Sequence, residues 1–407
     1  MQEAMAYFHQ ASSVLDSLPD SGDNRHRRVS LIIDQWIVFW LLFKIPEYYD
    51  LLCRFQRSAT ELEDPGLLAH FQLNLGHCLW VFGRLEEAAD MFGQAVKLNE
   101  AAGVPAKAGP AYCMLQWTHL WLGNLEHSFS WQDPALNALR EHFDLRWRAW
   151  SFAAGCWTCS LLGRFDEAVE QAQQELMLAE EYSDNSLVSF ALWNMSIAYT
   201  YKGDLVNAVE RAEMAVKKAP TLADKVWAQT QFGFASCRRD QTREAAELLA
   251  SLAPMYDATQ FIPGQVFNTT YLVEAYWRAG VIDAAQSTVQ KGLDISTRAG
   301  MKFYSGSMHR LMGEIMLAKN PDQSAEPLAG AHFEKSFSLL SGTKAENELA
   351  LAYTGYGCFL KARRRLAEAA AYLRRAKEIF DRLGTMVEPE RVRKQLADLN
   401  ESNASQL

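Results

Sequence analysis

The residues that could carry out chemistry do not form a recognisable catalytic or metal-binding signature. Cys156 and Cys159 make one Cys-X-X-Cys motif, but a structural zinc site needs further ligands and the sequence has no second pair. It also has no GxxxxGK(S/T) loop, no GxGxxG after a strand, and no HExxH or GxSxG motif. We therefore predict that the chain is not an enzyme, that it has no metal or cofactor, and that the two cysteines pack inside a helix.

Tryptophan is the most informative residue type in this sequence. Aromatic rings bring a large apolar area at little cost in conformational entropy, and they dominate binding hot spots. The rings either grip a partner or are buried against one another, and the sequence leaves both interpretations open. Of 12 tryptophans, ten lie on the helices that the repeat described next assigns to the interior: Trp36, Trp40, Trp80, Trp117, Trp121, Trp150, Trp157, Trp193, Trp227 and Trp277.

The elements that would position these rings come from an internal repeat of about 40 residues. Gly83, Gly123, Gly163 and Gly203 lie 40 residues apart, each after an apolar stretch and five positions before a small residue. A weaker copy begins at Asp240, and another begins at Gly280. Each copy predicts a helix A, a glycine turn at the C′ position and a helix B. No comparable segment alternates with a period of two, so the sequence predicts no β-sheet.

Small residues mark where the two helices of one repeat must approach. Gly76 precedes Ala88 by 12 residues, and Phe92 and Ala95 follow at four and seven positions further on. This spacing resembles the tetratricopeptide (TPR) pattern, in which a glycine of helix A accepts an alanine of helix B. HEAT and armadillo repeats share the period but do not require this pairing. We predict an all-α fold, a TPR-like α-solenoid forming a right-handed superhelix of about nine helical hairpins, with residues 1–400 as a single domain.

A concave groove is the predicted binding site, because the A helices line the inner surface of such a superhelix. When the inward-facing positions of one A helix are shifted by multiples of 40 residues, they select aromatic side chains and charged side chains of both signs. The predicted groove residues are His77, Trp80, Trp117, Trp121, Trp150, Trp157, Trp193, Tyr201, Trp227, Phe234, Arg238, Glu274, Trp277, Arg278, Arg310 and Glu314.

The two ends of the chain depart from the repeat. Ala4, Phe8 and Ala11 match helix-B positions without a preceding helix A, so residues 1–18 are predicted to be a partial first repeat containing helix B only. We expect the chain to be cut from a longer protein; a terminal capping helix is the alternative. Residues 401–407 are predicted to be a frayed tail.

Composition limits the partners. Lys+Arg 40 against Asp+Glu 49 gives a net charge of −9, the wrong sign for non-specific binding of nucleic acid. The longest apolar run, Trp36 to Phe43, is far shorter than the roughly 20 residues that cross a bilayer. Seven cysteines are too few for a disulfide framework in so long a chain. We predict a cytoplasmic protein with no nucleic-acid or membrane partner.

Several segments resemble a known family. Trp80-Val81-Phe82-Gly83-Arg84, Leu120-Trp121-Leu122-Gly123, Ser307 to Glu314 and Ile379 to Arg393 are similar to the C-terminal TPR-like part of large bacterial signalling proteins. Those proteins place a class III nucleotide cyclase domain and a STAND-type ATPase domain ahead of such repeats. The resemblance implies a regulatory role beside an effector. The metal-binding and phosphate-binding motifs of the two catalytic domains are absent from this sequence.

Together, these patterns predict a non-catalytic interaction and sensor module. Its groove would bind a protein or peptide segment and regulate an attached or associated effector in a larger polypeptide or complex. The alternative is a small-molecule sensor in which the aromatic rings, Arg278, Arg310 and Glu314 enclose a metabolite.

Overall fold

The structure is a computed structural model that describes residues 2–42, 44–319 and 326–404. Within these ranges the chain is helical and contains no β-strand. No helix in the described ranges is long and apolar enough to cross a bilayer. The α-helices are α1 Gln2–Asp16, α2 Gly22–Ile33, α3 Trp36–Leu41, α4 Ile45–Glu61, α5 Pro65–Val81, α6 Leu85–Ala101, α7 Gly109–Leu122, α8 Leu125–Ser130, α9 Gln132–Glu141, α10 Leu145–Leu162, α11 Phe165–Glu181, α12 Asn185–Lys202, α13 Leu205–Lys218, α14 Leu222–Arg238, α15 Thr242–Thr259, α16 Ile262–Arg278, α17 Ile282–Arg298, α18 Lys302–Lys319, α19 Glu326–Thr343, α20 Glu346–Ala362, α21 Leu366–Leu383 and α22 Glu388–Ala404.

Helices A and B alternate along most of the chain. The A helices are α5, α7, α10, α12, α14, α16, α18 and α20. Helices α5, α12, α16, α18 and α20 each pack against the B helix that follows. Most A helices are 17 or 18 residues long. Helix α13 has only 14 residues, which accounts for the shorter interval between Gly203 and the weaker repeat at Asp240.

A left-handed residue recurs about every 20 positions, in the turns that follow A helices and in those that follow B helices. The glycine turns after helix A were predicted. The turns after helix B were missed because Glu63, Ser183, Gln260 and Lys344 replace glycine in several of them. Positive φ angles occur at Glu63, Gly83, Gly103, Gly123, Gly163, Ser183, Gly203, Asp240, Gln260, Gly280, Gly300, Lys344, Arg364 and Gly384.

The two kinds of helix differ in burial. Helix α13 buries one face, through Ala208, Val209, Ala212 and Ala215, as an amphipathic surface helix does. Helix α12 is buried on nearly every side. This difference arises because α12 packs against α11, α13 and α14.

Close approach within a hairpin depends on the helix-A glycines, but their partner differs from the one predicted. A Cβ atom on Gly76 would lie 2.6 Å from the Phe92 ring, and one on Gly313 would lie 2.7 Å from Phe333. Gly357 meets Leu373 in the same way. The glycine therefore accepts the large residue four positions after the expected alanine. A phenylalanine ring or a leucine side chain fills the space left by the missing glycine side chain more completely than the methyl group of alanine does.

Packing divides the chain into two compact units. Unit 1 comprises the described residues of Met1–Thr118, Ser130–Arg148 and Thr259–Phe261, and unit 2 comprises those of His119–Phe129, Ala149–Ala258 and Ile262–Leu407. A single solenoid over residues 1–400 stays a prediction. At the C-terminal end, α22 continues to Ala404, so residues 401–404 of the predicted frayed tail are helical. Residues 405–407 lie outside the described ranges.

Candidate functional site

The predicted groove residues all lie on A helices, but most of them are not open to solvent. His77, Trp80 and Trp117 belong to unit 1, and the others belong to unit 2. Partial exposure is kept only by Trp150, Trp227, Trp277, Arg278 and Glu314, and the remaining members are buried. The side chains predicted to line a groove therefore largely fill the space between their own helices.

An aromatic core fills one part of unit 2; we define it as Trp121, Trp157, Trp193, Phe267 and Tyr304. The rings of Trp121 and Trp157 are 5.0 Å apart, and those of Trp157 and Trp193 are 5.7 Å apart. Phe267 lies 5.0 Å from Trp157, and Tyr304 stacks on Trp121 at 5.5 Å. These centroid distances fall in the range of favourable aromatic pairs, so the core is a continuous packed cluster.

An aromatic row borders this core; we define it as Trp150, Phe190 and Trp227. Each is the sixth residue of its A helix, in α10, α12 and α14 respectively, and each is half-buried. Trp150 lies 6.0 Å from Phe190, and Trp227 stacks on Trp193 of the core at 5.7 Å. The row thus presents apolar ring surface on a rigid backing.

An ionic network fills another part of unit 2, and its backbone is an alternating chain of four buried charged residues. Arg238 Nη2 donates to Glu274 Oε2 at 2.9 Å, and Arg310 Nε donates to Glu348 Oε1 at 2.8 Å. Arg310 Nη2 also lies 3.6 Å from Glu274 Oε2. The four side chains are almost completely buried, so their charges are compensated by one another rather than by water.

Two further charged residues complete the network. Arg278 Nε donates to Glu274 Oε1 at 2.9 Å, and Arg310 Nη1 donates to Glu314 Oε2 at 3.1 Å. Burial by itself would raise the pKa of Glu274, but Arg238, Arg278 and Arg310 lower it to about 2. Burial raises the pKa of Glu314, and Arg310 only partly opposes this effect. We refer to all six side chains as the ionic network; its three cations match its three carboxylates.

Glu348 and the core ring Tyr304 were missed by the sequence analysis. A step of 36 residues relates several other members of the two clusters but reaches neither of these two residues. Trp121, Trp157 and Trp193 are 36 residues apart, as are Arg238, Glu274 and Arg310. A step of 36 is one helical turn shorter than the 40-residue repeat. Side chains that touch on neighbouring A helices therefore lie one turn closer to the N-terminus of each successive helix. A 40-residue step instead selects side chains at the same position of each A helix.

In unit 1, His77 lies between two indole rings. Trp36 stacks on it at 4.4 Å and Trp147 at 5.3 Å. Neither ring nitrogen of His77 has a hydrogen-bond partner among the described residues, and burial lowers its pKa to about 3. Trp80 packs on Phe261 at 4.9 Å. His77 is thus a neutral packed ring, although the sequence predicted that it faces a groove.

The Cys-X-X-Cys residues are buried in α10. The Cys156 thiol donates to the Asn194 carbonyl oxygen at 3.4 Å, and Cys159 packs in the same cluster as Ala168 and Ala172. Burial raises the pKa of Cys159 to about 12, which disfavours the reactive thiolate. Among the described residues, no three His, Cys, Asp or Glu side chains are grouped so that they could hold a metal ion.

Comparison with known proteins shows the fold. No protein-family model matches the chain, and no curated protein matches its sequence. A Rap protein complexed with competence and sporulation factor is similar over 94% of this chain and 99% of that chain, with a TM-score of 0.58 and 14% identity. NprR in complex with its cognate peptide NprX is similar over 84% of this chain and 94% of that chain, with a TM-score of 0.54 and 11% identity. The APC/C hetero-tetramer Cut9–Hcn1 covers 98% of this chain and 82% of that chain, with a TM-score of 0.54 and 11% identity. The predicted TPR-like α-solenoid is confirmed.

Proposed function

We propose that this chain is a non-catalytic regulatory module that binds a peptide segment of a protein partner through the aromatic row of unit 2. One observation carries the proposal: three half-buried rings occupy the same position on three consecutive A helices. A row of this kind can accept successive apolar side chains of an extended segment. The packed core behind it keeps the rings in place, which lowers the entropic cost of binding.

The structures similar in fold support a peptide as the partner. One is a complex of a Rap protein with competence and sporulation factor, and another is a complex of NprR with its cognate peptide NprX. The aromatic row would then be the main binding surface of the wider groove predicted from the sequence, because most other aromatic members of that groove are buried.

The effector is proposed from the resemblance described above. Segments such as Trp80 to Arg84 and Ser307 to Glu314 are similar to repeats that follow cyclase and STAND-type ATPase domains. We therefore place this module in a cytoplasmic signalling protein or complex, where peptide binding regulates a neighbouring nucleotide-processing domain.

The alternative of a metabolite sensor receives no specific support from the geometry. It required Arg278, Arg310 and Glu314 to enclose a ligand. Arg278 instead pairs with Glu274, and Arg310 pairs with Glu314 and Glu348. Their charges therefore neutralise one another.

Selection from a random peptide display library tests the proposal. Peptides enriched on the wild-type chain should carry aromatic or large aliphatic side chains. The double variant Trp150→Ala/Trp227→Ala should weaken their binding by about tenfold or more in Kd, because hot-spot rings are lost. The matched control is Met177→Ala/Val206→Ala, which removes two exposed apolar side chains of B helices and should leave Kd unchanged.

Circular dichroism and the melting temperature of each variant establish that it is folded before its Kd is measured. If the row variant is folded and binds the selected peptides as well as the wild type does, the aromatic row is not the binding site. Equal losses in the row variant and in the control would contradict the proposal as well.

A further inference from the structure

A seam closes unit 2 between segments far apart in the sequence. We define the seam as the turns at Gly123, Gly163 and Gly203 on one side, and residues 300–303, 343–347 and 383–387 on the other. The Met386 amide donates to the Lys202 carbonyl oxygen at 2.8 Å. Asn347 Nδ2 donates to the Tyr201 carbonyl oxygen at 3.3 Å, across 146 residues of sequence. The C-terminal ends of early A helices therefore bind to turns of the late repeats.

The three seam glycines serve a second purpose beyond ending their helices. A Cβ atom on Gly203 would lie 3.0 Å from the Val387 amide nitrogen. One on Gly123 would lie 2.9 Å from Thr343 Cγ2 and 3.0 Å from the Phe303 nitrogen, and one on Gly163 would lie 2.9 Å from Leu383. Gly280 has the same backbone conformation, yet no heavy atom lies within 4 Å of its Cβ position. At these three positions a side chain would collide with the opposite side of the seam. At Gly280, where the turn is the same but nothing lies opposite, there is room for a Cβ atom.

One part of the seam, around Lys344, is open to solvent. Lys344 pairs with Glu126 across the seam at 2.5 Å, but the two side chains are 59% and 63% exposed. An exposed pair of this kind contributes about 0–1 kcal/mol. The seam is also incomplete: a cleft of about 680 Å³ opens beside this pair, lined in part by Phe129, Leu162 and Leu340. Little apolar surface therefore seals the seam at this point.

The same helices carry the seam and the aromatic row. Helix α10 carries Trp150 near its start and ends beside Gly163, and α12 carries Phe190 near its start and ends at Gly203. Each has 18 residues, so about 27 Å separates its two ends. A continuous helix moves as a rigid rod, and a tilt imposed at one end displaces the other.

We propose that the seam is a latch. It opens and closes as a unit while the hairpins stay intact, and a peptide bound at the aromatic row shifts its equilibrium. The coupling to peptide rests on the proposed function, whereas the opening itself does not. The latch converts binding at one end of α10 and α12 into a change in the late repeats, which is the property that a regulatory module needs.

Hydrogen exchange at the Met386 amide tests the latch in the full chain without any ligand. The variant Gly203→Val should accelerate exchange at Met386 by tenfold or more, while exchange within α12 stays slow. The matched control Gly280→Val imposes the same backbone strain without a clash and should leave Met386 as in the wild type. Equal rates in the two variants, or an unprotected Met386 in the wild type, would overturn the latch.

A charge reversal provides a second route if Gly203→Val does not fold. Lys344→Glu places a carboxylate opposite Glu126 and should accelerate Met386 exchange severalfold. Lys319→Glu reverses the comparable exposed pair with Asp283, which lies outside the seam, and should have no such effect. If both substitutions, or neither, change the rate, the seam is not an independent unit.

The coupling is tested by adding a peptide that Trp150→Ala/Trp227→Ala fails to bind. That peptide should change exchange at Met386 at least severalfold in the wild type. An unchanged rate with peptide bound overturns the coupling while leaving the proposed function intact. If no such peptide exists, the proposed function fails, and the seam is judged on the glycine variants alone.

Discussion

The aromatic core and the ionic network of unit 2 are built on neighbouring A helices by the same 36-residue step, yet they stabilise the fold differently. Rings such as Trp157 and Phe267 attract their neighbours through area and dispersion, which tolerate small changes of shape. Arg310 and Glu348 need each other's charge, since either alone would be an uncompensated ion away from water. The same spacing of helix positions therefore gives an aromatic cluster that tolerates substitution in one part of the unit. In the other part it gives a charged cluster in which each residue needs its partner.

The largest expected effect comes from the centre of the ionic network. Replacing Arg310 by Met leaves Glu348 without its cation and weakens the compensation of Glu274 and Glu314. We expect the free energy of unfolding to fall by about 3–5 kcal/mol in urea titrations. Lys319→Met, which removes an exposed cation, should change it by less than about 0.5 kcal/mol. A loss below about 1 kcal/mol for Arg310→Met would remove the contrast between the two regions.

A conservative change in the aromatic core should cost less. In Trp157→Phe, a smaller ring stays in contact with Trp121, Trp193 and Phe267 and leaves a partial cavity. We expect a loss of about 1–3 kcal/mol by the same titration. A loss larger than that of Arg310→Met would mean that the core is the less tolerant of the two regions.

Glu175 extends the comparison, because its buried carboxyl group pairs with no cation among the described residues. Asn194 Nδ2 approaches one oxygen at 3.4 Å, and the other oxygen has no hydrogen-bond partner among the described residues. Burial raises the pKa of Glu175 well above its ordinary value of 4.5, whereas the arginines lower that of Glu274 to about 2.

The two carboxyl groups consequently affect stability in opposite directions of pH. Folded Glu175 holds its proton more tightly than the unfolded chain does, so its contribution falls as pH rises above about 4.5. Glu274 contributes stability above about pH 4.5, and this contribution is lost as pH falls toward about 2. Glu175→Gln should raise the free energy of unfolding at pH 7.5 by about 1–3 kcal/mol and flatten its decline with pH. If Glu175→Gln is less stable than the wild type at that pH, the Glu175 carboxyl group is not protonated in the folded chain.

Salt should produce the smallest effect. Ions screen exposed pairs such as Lys344 with Glu126 more strongly than buried ones. Raising NaCl from about 0.05 to 0.5 M should therefore shift the melting temperature by only about 1–3 °C. A drop several times larger would mean that water and ions reach the network around Arg310.

Local sequence patterns predicted the helices well because their signals act over a few residues. The glycines at 83, 123, 163 and 203 end helices in left-handed turns wherever the chain places them. The turns at Glu63, Ser183 and Lys344 have the same geometry, but these residue types carry no distinctive turn signal. They become visible only once the backbone is known.

The candidate site was harder to predict because burial depends on what lies opposite each side chain. Tryptophans 157 and 193 were assigned to A helices correctly. Their positions were equally compatible with an open groove and with a filled interior, and the choice depends on how closely neighbouring A helices approach. Glu348 was missed because its partner Arg310 lies 38 residues away, which a 40-residue comparison does not pair.

The order of helices, the glycine turns and the repeat length were thus determined by the sequence alone, since each follows from interactions among residues within one or two helical turns. Tertiary structure decided which aromatic rings stay half-exposed, how the buried charges pair, and where a glycine such as Gly203 meets a segment more than 180 positions later. These outcomes depend on the distance and crossing of helices remote in sequence, and close packing there leaves room for one arrangement of side chains.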